Sequence, residues 1–440
     1  MAKTMAIERI FTGILGTAAA LALWAQDPVL SQSTPEPAAP ADNAAAEAGP
    51  ADAPAPDPLA KGKYLAAAGN CISCHTAPGG EPFAGGVAFV TDFGTLYSTN
   101  ITSDATAGIG GWTLEQFTRA MREGIDNDGV HLYPAFPYTA FTKIGDEDMA
   151  ELFAYIKTIP PSSGVPPANE MGFPFNQRSL MAVWNALFFE PARFTPDTAQ
   201  SAEWNRGAYL VEGLGHCGAC HTPRNLLGAE KADAALSGGT YLDEVTGGAV
   251  RPWYAVNLTP SQNGLKGWTQ DNIVTYLKTG HGTRVGSYGP MNEVITGSTM
   301  HLSDADVNAM AVYLKSLKPI ENGVTQTIAE KDQRAGETLY TIHCGTCHLP
   351  TGLGSTPGSE LGAPLVGSAV VQGNDPSTLI NIILNGTEVI TPAPAKGWKN
   401  MKAFGNLLDD DEVATLANYL RTSWGNQGGK VTPAQVAKQR

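Results

Sequence analysis

All six cysteines of the chain fall in three identical frames: Cys71-Ile72-Ser73-Cys74-His75, Cys217-Gly218-Ala219-Cys220-His221 and Cys344-Gly345-Thr346-Cys347-His348. A disulfide framework would also use an even number of cysteines, but it gives no reason for a histidine after every second one. Two residues between the thiols let one helical turn present both sulfurs on one edge, where they can add to the two vinyl groups of a haem. The next residue then turns its imidazole toward the iron. The spacing assigns Cys71, Cys74, Cys217, Cys220, Cys344 and Cys347 as covalent attachment points, and His75, His221 and His348 as proximal ligands, of three haem c groups. Redox or zinc-binding CxxC pairs could explain one such motif, but poorly explain three that consume every cysteine.

A sixth ligand should follow each motif on a loop before the last helix of its unit, and a thioether there would raise the potential. In the second unit, "SYGPMNEV" offers Met291 on a loop stiffened by Gly289-Pro290, with Met300 better read as core. In the third, "KNMKAFGNLLDDDE" offers Met401. The first unit breaks the pattern, since "HLYPAFPYTAF" places Phe136 where a ligand is due. His131 on the same loop is the leading candidate there and Met121 the next, while Met149 belongs to an apolar helical stripe. His/His ligation would lower that haem's potential relative to His/Met. The plainer alternative is a surface His131 above a Phe-capped, five-coordinate iron. Of the remaining histidines, His216 and His343 adjoin the haem edge or a propionate, and His281 and His301 are expected in contact with solvent or a propionate.

The elements that must position these residues repeat. "KGKYLAAAGNCISCHTAPGG" returns as "RGAYLVEGLGHCGACHTPRN" and more loosely as "AGETLYTIHCGTCHLPTG", and "NITSDATAGIGGWTLEQF" returns as "NLTPSQNGLKGWTQDNI". Each unit closes on a helix with an acid- or Ser-rich start and apolar residues at i, i+3, i+4 and i+7. These stripes are Met149, Leu152, Phe153, Ile156; Val307, Met310, Ala311, Leu314; and Val413, Leu416, Ala417, Leu420. Gly62, Gly207 and Gly336 precede the cysteine pairs and should let the closing helix approach, with Tyr155, Tyr313 and Tyr419 packing on bare backbone. Three copies of one plan mean three small domains, each marginal for a protein core alone, so that a haem supplies apolar bulk as well as function. The expected boundaries are 58–162, 200–320 and 328–424, with an apolar linker helix in 163–199 and a polar tail over 425–440.

With net charge −14, the chain is unsuited to nucleic acid. Its 16% charged residues, 49 Gly and 31 Pro suit loop-rich compact domains. Lys3 and Arg9 precede an apolar run, Ile10 to Ala25, of signal-peptide length. Residues 1–26 thus read as a signal peptide or an N-terminal membrane anchor, and 27–57 as a Pro/Ala-rich extended tether. "SLMAVWNALFFEPARF" in the linker is unusually apolar and is expected to pack between domains, with insertion into a membrane interface or a quinone site as the alternative.

The CxxCH units, "YSTNIT", "YPAFPYTAF", "GHCGACHTPRN", "GPMNEV" and the closing "SWGN" together resemble the tri-haem cytochrome c subunit of bacterial membrane-bound dehydrogenases of alcohol, aldehyde or gluconate type. The resemblance covers roughly residues 58 to 440. It implies a mainly α fold of three tandem class-I-like cytochrome c domains joined by loop-rich linkers. It further implies a catalytic dehydrogenase subunit as partner, of molybdopterin, PQQ or flavin type, with a small iron-sulfur or helper subunit in some complexes. Electrons would pass to ubiquinone at the periplasmic face of the inner membrane. The resemblance supports His75, His221, His348, Met291 and Met401 as ligands. At Phe136 the chain departs, because alcohol-type relatives carry Met there, and this tilts the partner toward aldehyde type.

Two functional classes compete. In the first, the chain is an electron-transfer subunit with no substrate chemistry of its own, since no nucleophile–base pair, phosphate loop or nicotinamide fingerprint is present. In the second, it is a haem enzyme such as a peroxidase reacting at an open first haem, with Asp126, Asp128 and His131 as the acid/base groups. An Asp/Asn/Gly cluster of that kind more often forms a turn.

Overall fold

The computed structural model describes residues 57–244, 248–390 and 397–440. The expected leader over 1–26 and nearly all of the tether over 27–57 lie outside the described residues.

The first repeat contains α1 (Ala60–Ala68), α2 (Cys71–Cys74), an antiparallel hairpin of β1 (Ala88–Thr91) and β2 (Gly94–Tyr97), α3 (Leu114–Glu123), α4 (Tyr138–Phe141) and α5 (Asp146–Ile156). A short β3 (Glu170–Met171) from the linker adds to β2, and the linker helix α6 (Leu180–Phe188) follows. The second repeat runs α7 (Ala202–Tyr209), α8 (Gly218–His221), the hairpin β4 (Gly239–Glu244) with β5 (Val250–Ala255), α9 (Gln270–Thr279), α10 (Pro290–Gly297) and α11 (Asp304–Ser316). The third has α12 (Glu330–His343), α13 (Gly345–His348), α14 (Ser377–Asn385) and α15 (Asp410–Thr422), and α16 (Pro433–Ala437) closes the chain.

In every repeat the first and last helices cross at the expected glycine. A Cβ on Gly62 would lie 2.7 Å from Tyr155 Cβ, one on Gly207 2.5 Å from the Ala309 carbonyl carbon, and one on Gly336 3.0 Å from Thr415 O. Only a residue without a side chain allows helices this close. The apolar stripes face inward as their period requires: Met149, Leu152, Ile156, Val307, Met310, Ala311, Val413, Leu416 and Ala417 are all buried. Capping supports the starts. Thr113 and Asp409 form reciprocal capping boxes with Gln116 and Glu412, and Ser303 accepts from the Asp306 N–H.

Packing divides the molecule unevenly. The first two repeats share one continuous core, running from Leu65 and Leu152 through Leu210 and Leu214 to Val307 and Leu314. The third has its own, around Tyr340, Ile380, Leu416 and Leu420. The first pair is also joined by a reciprocal clasp. Tyr64 of α1 donates to Asp306 Oδ2 of α11 at 2.5 Å, and Tyr209 of α7 donates to Asp148 Oδ2 of α5 at 2.7 Å. Within each repeat the same carboxylate takes a cation, Lys61 with Asp148 and Arg206 with Asp306.

Two segments differ from a plain reading of their composition. The end of the chain is no loose tail, because Val431 and Val436 are buried in the third core. The linker helix is divided: Met181 and Trp184 pack with Tyr138 and Ala229, while Leu180, Val183 and Leu187 face outward.

Candidate haem-binding sites

Each CxxCH motif folds as one helical turn, with Cys71–Cys74 and Gly218–His221 in α2 and α8, and Gly345–His348 in α13. No cysteine is in a disulfide. Burial pushes the thiols of Cys71, Cys74 and Cys217 up to about 12, and those of Cys220 and Cys344 up to about 11. A redox-active CxxC pair needs the opposite, a thiol acidified by its surroundings, so these pairs are poorly suited to disulfide exchange. Among the described residues, no group of three or more His, Cys, Asp and Glu side chains converges as a zinc site requires.

The three histidines share one geometry. The Nδ1 atoms of His75, His221 and His348 lie 2.7, 2.6 and 2.7 Å from the carbonyl oxygens of Thr99, Val256 and Ala363. A carbonyl can only accept, so Nδ1 carries the proton and donates, which leaves the Nε2 lone pair bare and the ring held in one orientation. Burial lowers the pKa of all three rings, favouring the neutral form a metal ligand needs. Paired thiols on one turn and an oriented neutral imidazole directly after them fit a covalently held haem.

The carbonyls that orient the rings were not singled out from the sequence, yet a signal for two of them was present in the repeats. Thr99 and Val256 immediately precede the asparagines of "NIT" and "NLT". Asn100 Oδ1 accepts from the Thr102 N–H at 2.9 Å and its Nδ2 donates to Ser162 O at 2.8 Å. Asn257 repeats both bonds, with the Thr259 N–H and Ile320 O, at 2.8 and 2.9 Å. Each buried asparagine thus pins the loop whose preceding carbonyl sets the histidine.

The expected sulfur ligands stand on anchored segments. Met291, expected on a loop, is instead the second residue of α10, because Gly289 in a positive-φ conformation and Pro290 at the first helical position start a helix there. It packs on the core that also takes Cys71 and Cys217. Met401 packs on the core that includes Cys344. Its backbone is clamped by Thr387, whose Oγ1 accepts from the Met401 N–H at 2.8 Å and whose N–H donates to Met401 O at 2.9 Å.

The first site is different. Phe136 packs edge-on to Phe141 with centroids 5.5 Å apart, and Met121 is buried in the shared core. His131 is drawn to the linker: its carbonyl accepts from Arg178 Nε, just before α6, at 2.6 Å, and Asn185 Nδ2 of α6 lies 3.5 Å from its Nδ1. Tyr138 donates to Asn185 Oδ1, which orients that amide with its NH2 toward His131. The contact turns His131 Nδ1 into an acceptor and puts the ring proton on Nε2, the reverse of the three proximal rings.

Two other histidines join repeats. His216 reaches Gly69 O at 3.3 Å and stacks edge-on against Phe141. His281, expected at solvent or a propionate, is buried between the second and third repeats.

Against known proteins, the family model described as cytochrome c matches residues 59–160, 205–318 and 333–424. The chain is 45% identical over 377 residues to a nicotinate dehydrogenase subunit of Pseudomonas putida, covering 82% of this chain but 30% of that protein's length. It is 38% identical over 414 residues to the gluconate 2-dehydrogenase cytochrome c subunit of Pantoea cypripedii, covering 89% and 91% of the two chains. With the cytochrome c subunit of the quinone alcohol dehydrogenase of Gluconobacter oxydans it shares 37% over 399 residues, or 87% and 82%.

Proposed function

This chain belongs to the cytochrome c family and is related to the cytochrome c subunits of dehydrogenase complexes, and from that premise we propose that it carries three haem c groups as the electron-transfer subunit of such a complex. It receives electrons from a catalytic dehydrogenase subunit of molybdopterin, PQQ or flavin type and delivers them to ubiquinone at the periplasmic face of the inner membrane. The observation that carries the reading is the threefold recurrence of a CxxCH turn whose histidine donates through Nδ1 to a fixed carbonyl.

When bound, haem supplies a reversible one-electron change at iron. The chain's own residues do the rest. Cys71, Cys74, Cys217, Cys220, Cys344 and Cys347 hold the groups, and His75, His221 and His348 supply one axial nitrogen each. Met291 and Met401 supply thioethers that favour the reduced form and raise the potential at the second and third sites. None of these residues is paired with a base or an oxyanion hole, so oxidation of substrate belongs to the partner. No described helix is long and apolar enough to cross a membrane. Attachment to the membrane falls to the complex, to the segment outside the described residues, or to the outward face of α6.

At the first site we propose weak axial ligation, because Phe136 stands where a sulfur ligand is due and His131 is engaged by the linker, through its carbonyl from Arg178 and a 3.5 Å contact between its Nδ1 and Asn185. The test is carbon monoxide titration of the dithionite-reduced protein against total haem by pyridine haemochrome. About one third of the haem is expected to bind. No binding would mean three six-coordinate irons, with His131 or Met121 completing the first, and His131→Ala would then separate those two. Peroxide turnover at the open iron without any dehydrogenase would replace the electron-transfer reading with the haem-enzyme one.

A further inference from the structure

Three consecutive residues of the second repeat reach into all three repeats. Met291 is the thioether proposed for the second haem. Asn292 donates through Nδ2 to Glu388 O of the third repeat at 2.7 Å. The carbonyl of Glu293 lies 3.3 Å from Ser73 Oγ, inside the first CxxCH motif. The rest of α10 seats on that same attachment turn. Just past α10, Ser298 Oγ donates to Ala68 O at the end of α1 at 3.2 Å, and a Cβ on Gly297 would come within 2.3 Å of Asn70 Oδ1 and Ser73 Oγ, so a side chain there must displace both.

On the other flank, His281 is 3% exposed, and both of its ring nitrogens face the third repeat. Its Nδ1 accepts from the Trp398 N–H at 3.0 Å, so Nε2 carries the proton and faces Ile390 O at 3.3 Å. Trp398 answers by donating from its indole Nε1 to Gly282 O at 2.8 Å. Gly286 packs against Val389 and Trp398, with a Cβ there coming within 3.1 Å of Val389 Cγ1. His281 opens the loop that leads to Met291, and Ile390 and Trp398 stand on the chain that leads to Met401. A histidine whose two nitrogens are both used by the backbone of another repeat is a strut between two ligand-bearing segments.

We propose that the segment from His281 to Gly297 is the coupling element between the three haem sites, with His281 and Asn292 as positioning residues that register the start of α10, which bears Met291, against the loop that bears Met401, and Gly297 seating the same segment on the Cys71–Cys74 turn. Electron exchange between neighbouring haems depends on these contacts, because a segment that shifts carries its iron ligand with it. The inference rests on Met291 and Met401 being the sixth ligands.

The test uses the full-length holoprotein in its complex. Inter-haem electron exchange is followed after rapid one-electron reduction, and the haem potentials by spectroelectrochemistry. His281→Leu is expected to slow exchange between the second and third haems by roughly two- to thirtyfold, the range that single contacts in a coupled network produce. It should move the potentials of those two haems and leave the first in place. His281→Gln, which keeps a donor and an acceptor, should restore most of the rate. Gly297→Ala should act on the other side, between the first and second haems. A His281→Leu protein that retains three haems with wild-type exchange and potentials would overturn the proposal. If that variant fails to assemble, Asn292→Ala carries the same expectation and the same refutation. Met291→Ala separates the underlying ligand assignment: an unchanged low-spin second haem would remove the assignment itself, whatever His281 does.

Discussion

At His75, His221, His348, His131 and His281 the same side chain does different work, and the difference lies in which nitrogen is spoken for. A carbonyl at Nδ1 frees Nε2 for a metal at the first three, whereas a donor at Nδ1 protonates Nε2 at the other two. The carbonyl is held in turn by a buried asparagine at the first two sites, so that residue is tied to both folding and redox chemistry. Asn257→Ala removes the amide that pins the Val256 loop and leaves the Thr259 and Ile320 backbone groups short of a partner. A loss of about 1–3 kcal/mol is expected, the cost of stranding buried polar groups, read by denaturant unfolding. The same variant should raise the potential of the second haem, since a less firmly hydrogen-bonded imidazole is a weaker donor to iron.

Among the helices, the deciding contacts are crossings rather than lengths. The short α7 could not hold itself in water and is stabilised by lying flush on α11 at Gly207. Gly207→Ala must push its methyl into the Ala309 peptide and against Tyr313 Cβ, neither of which is a flexible side-chain end that can yield. Overpacking of this kind costs about 1–3 kcal/mol, and more if the helices cannot part. Thermal unfolding of the holoprotein checks it. Gly145→Ser is the contrasting case. Gly145 caps α5 in an extended conformation with no side-chain bond, and a Cβ there meets nothing within 4 Å. Serine at this position should stabilise by roughly a few tenths of a kcal/mol, because its hydroxyl can accept a first-turn N–H.

Across the whole molecule, the first two repeats grip each other as an isologous pair does, residue for residue, while the third is attached by another route. The clasp needs a tyrosine two residues after the crossing glycine and a carboxylate seven residues before the packing tyrosine. The third repeat has Thr338 at the first place, and at the second Glu412, which is engaged in capping α15. Burial raises the Asp306 carboxyl, but the bonds from Arg206 and Tyr64 outweigh it and hold the group below its ordinary value. A depressed carboxylate contributes its stability above the unfolded value and loses it as pH falls through the folded one. The clasp should therefore be intact at neutral pH and weaken only in acid, below about pH 4. Tyr64→Phe and Tyr209→Phe should each cost about 1.5–3 kcal/mol, as bonds to charged groups do, with Tyr64 coupled to Asp306 in a double-mutant cycle. Negligible costs with no coupling would show that the hydroxyls matter only as surface groups.

The order of these scales is also the order of what could be foreseen. The attachment motifs, the repeat, the apolar stripes and the glycine crossings are local or periodic features, and the chain written out already displays them, because spacing along a helix is spacing on its face. The clasp was present as tyrosines and acids at matching offsets, but nothing in a linear chain says that a tyrosine of one repeat bonds the acid of the other. The same holds for His131 and His281. Their environments are made by Asn185, Ile390 and Trp398, 54 or more positions away along the chain. A residue type and its spacing determine which chemistry is possible. Which nitrogen bears the proton, and which repeat holds it, is decided by the partners that long-range packing brings within hydrogen-bonding distance, and only the tertiary structure supplies those.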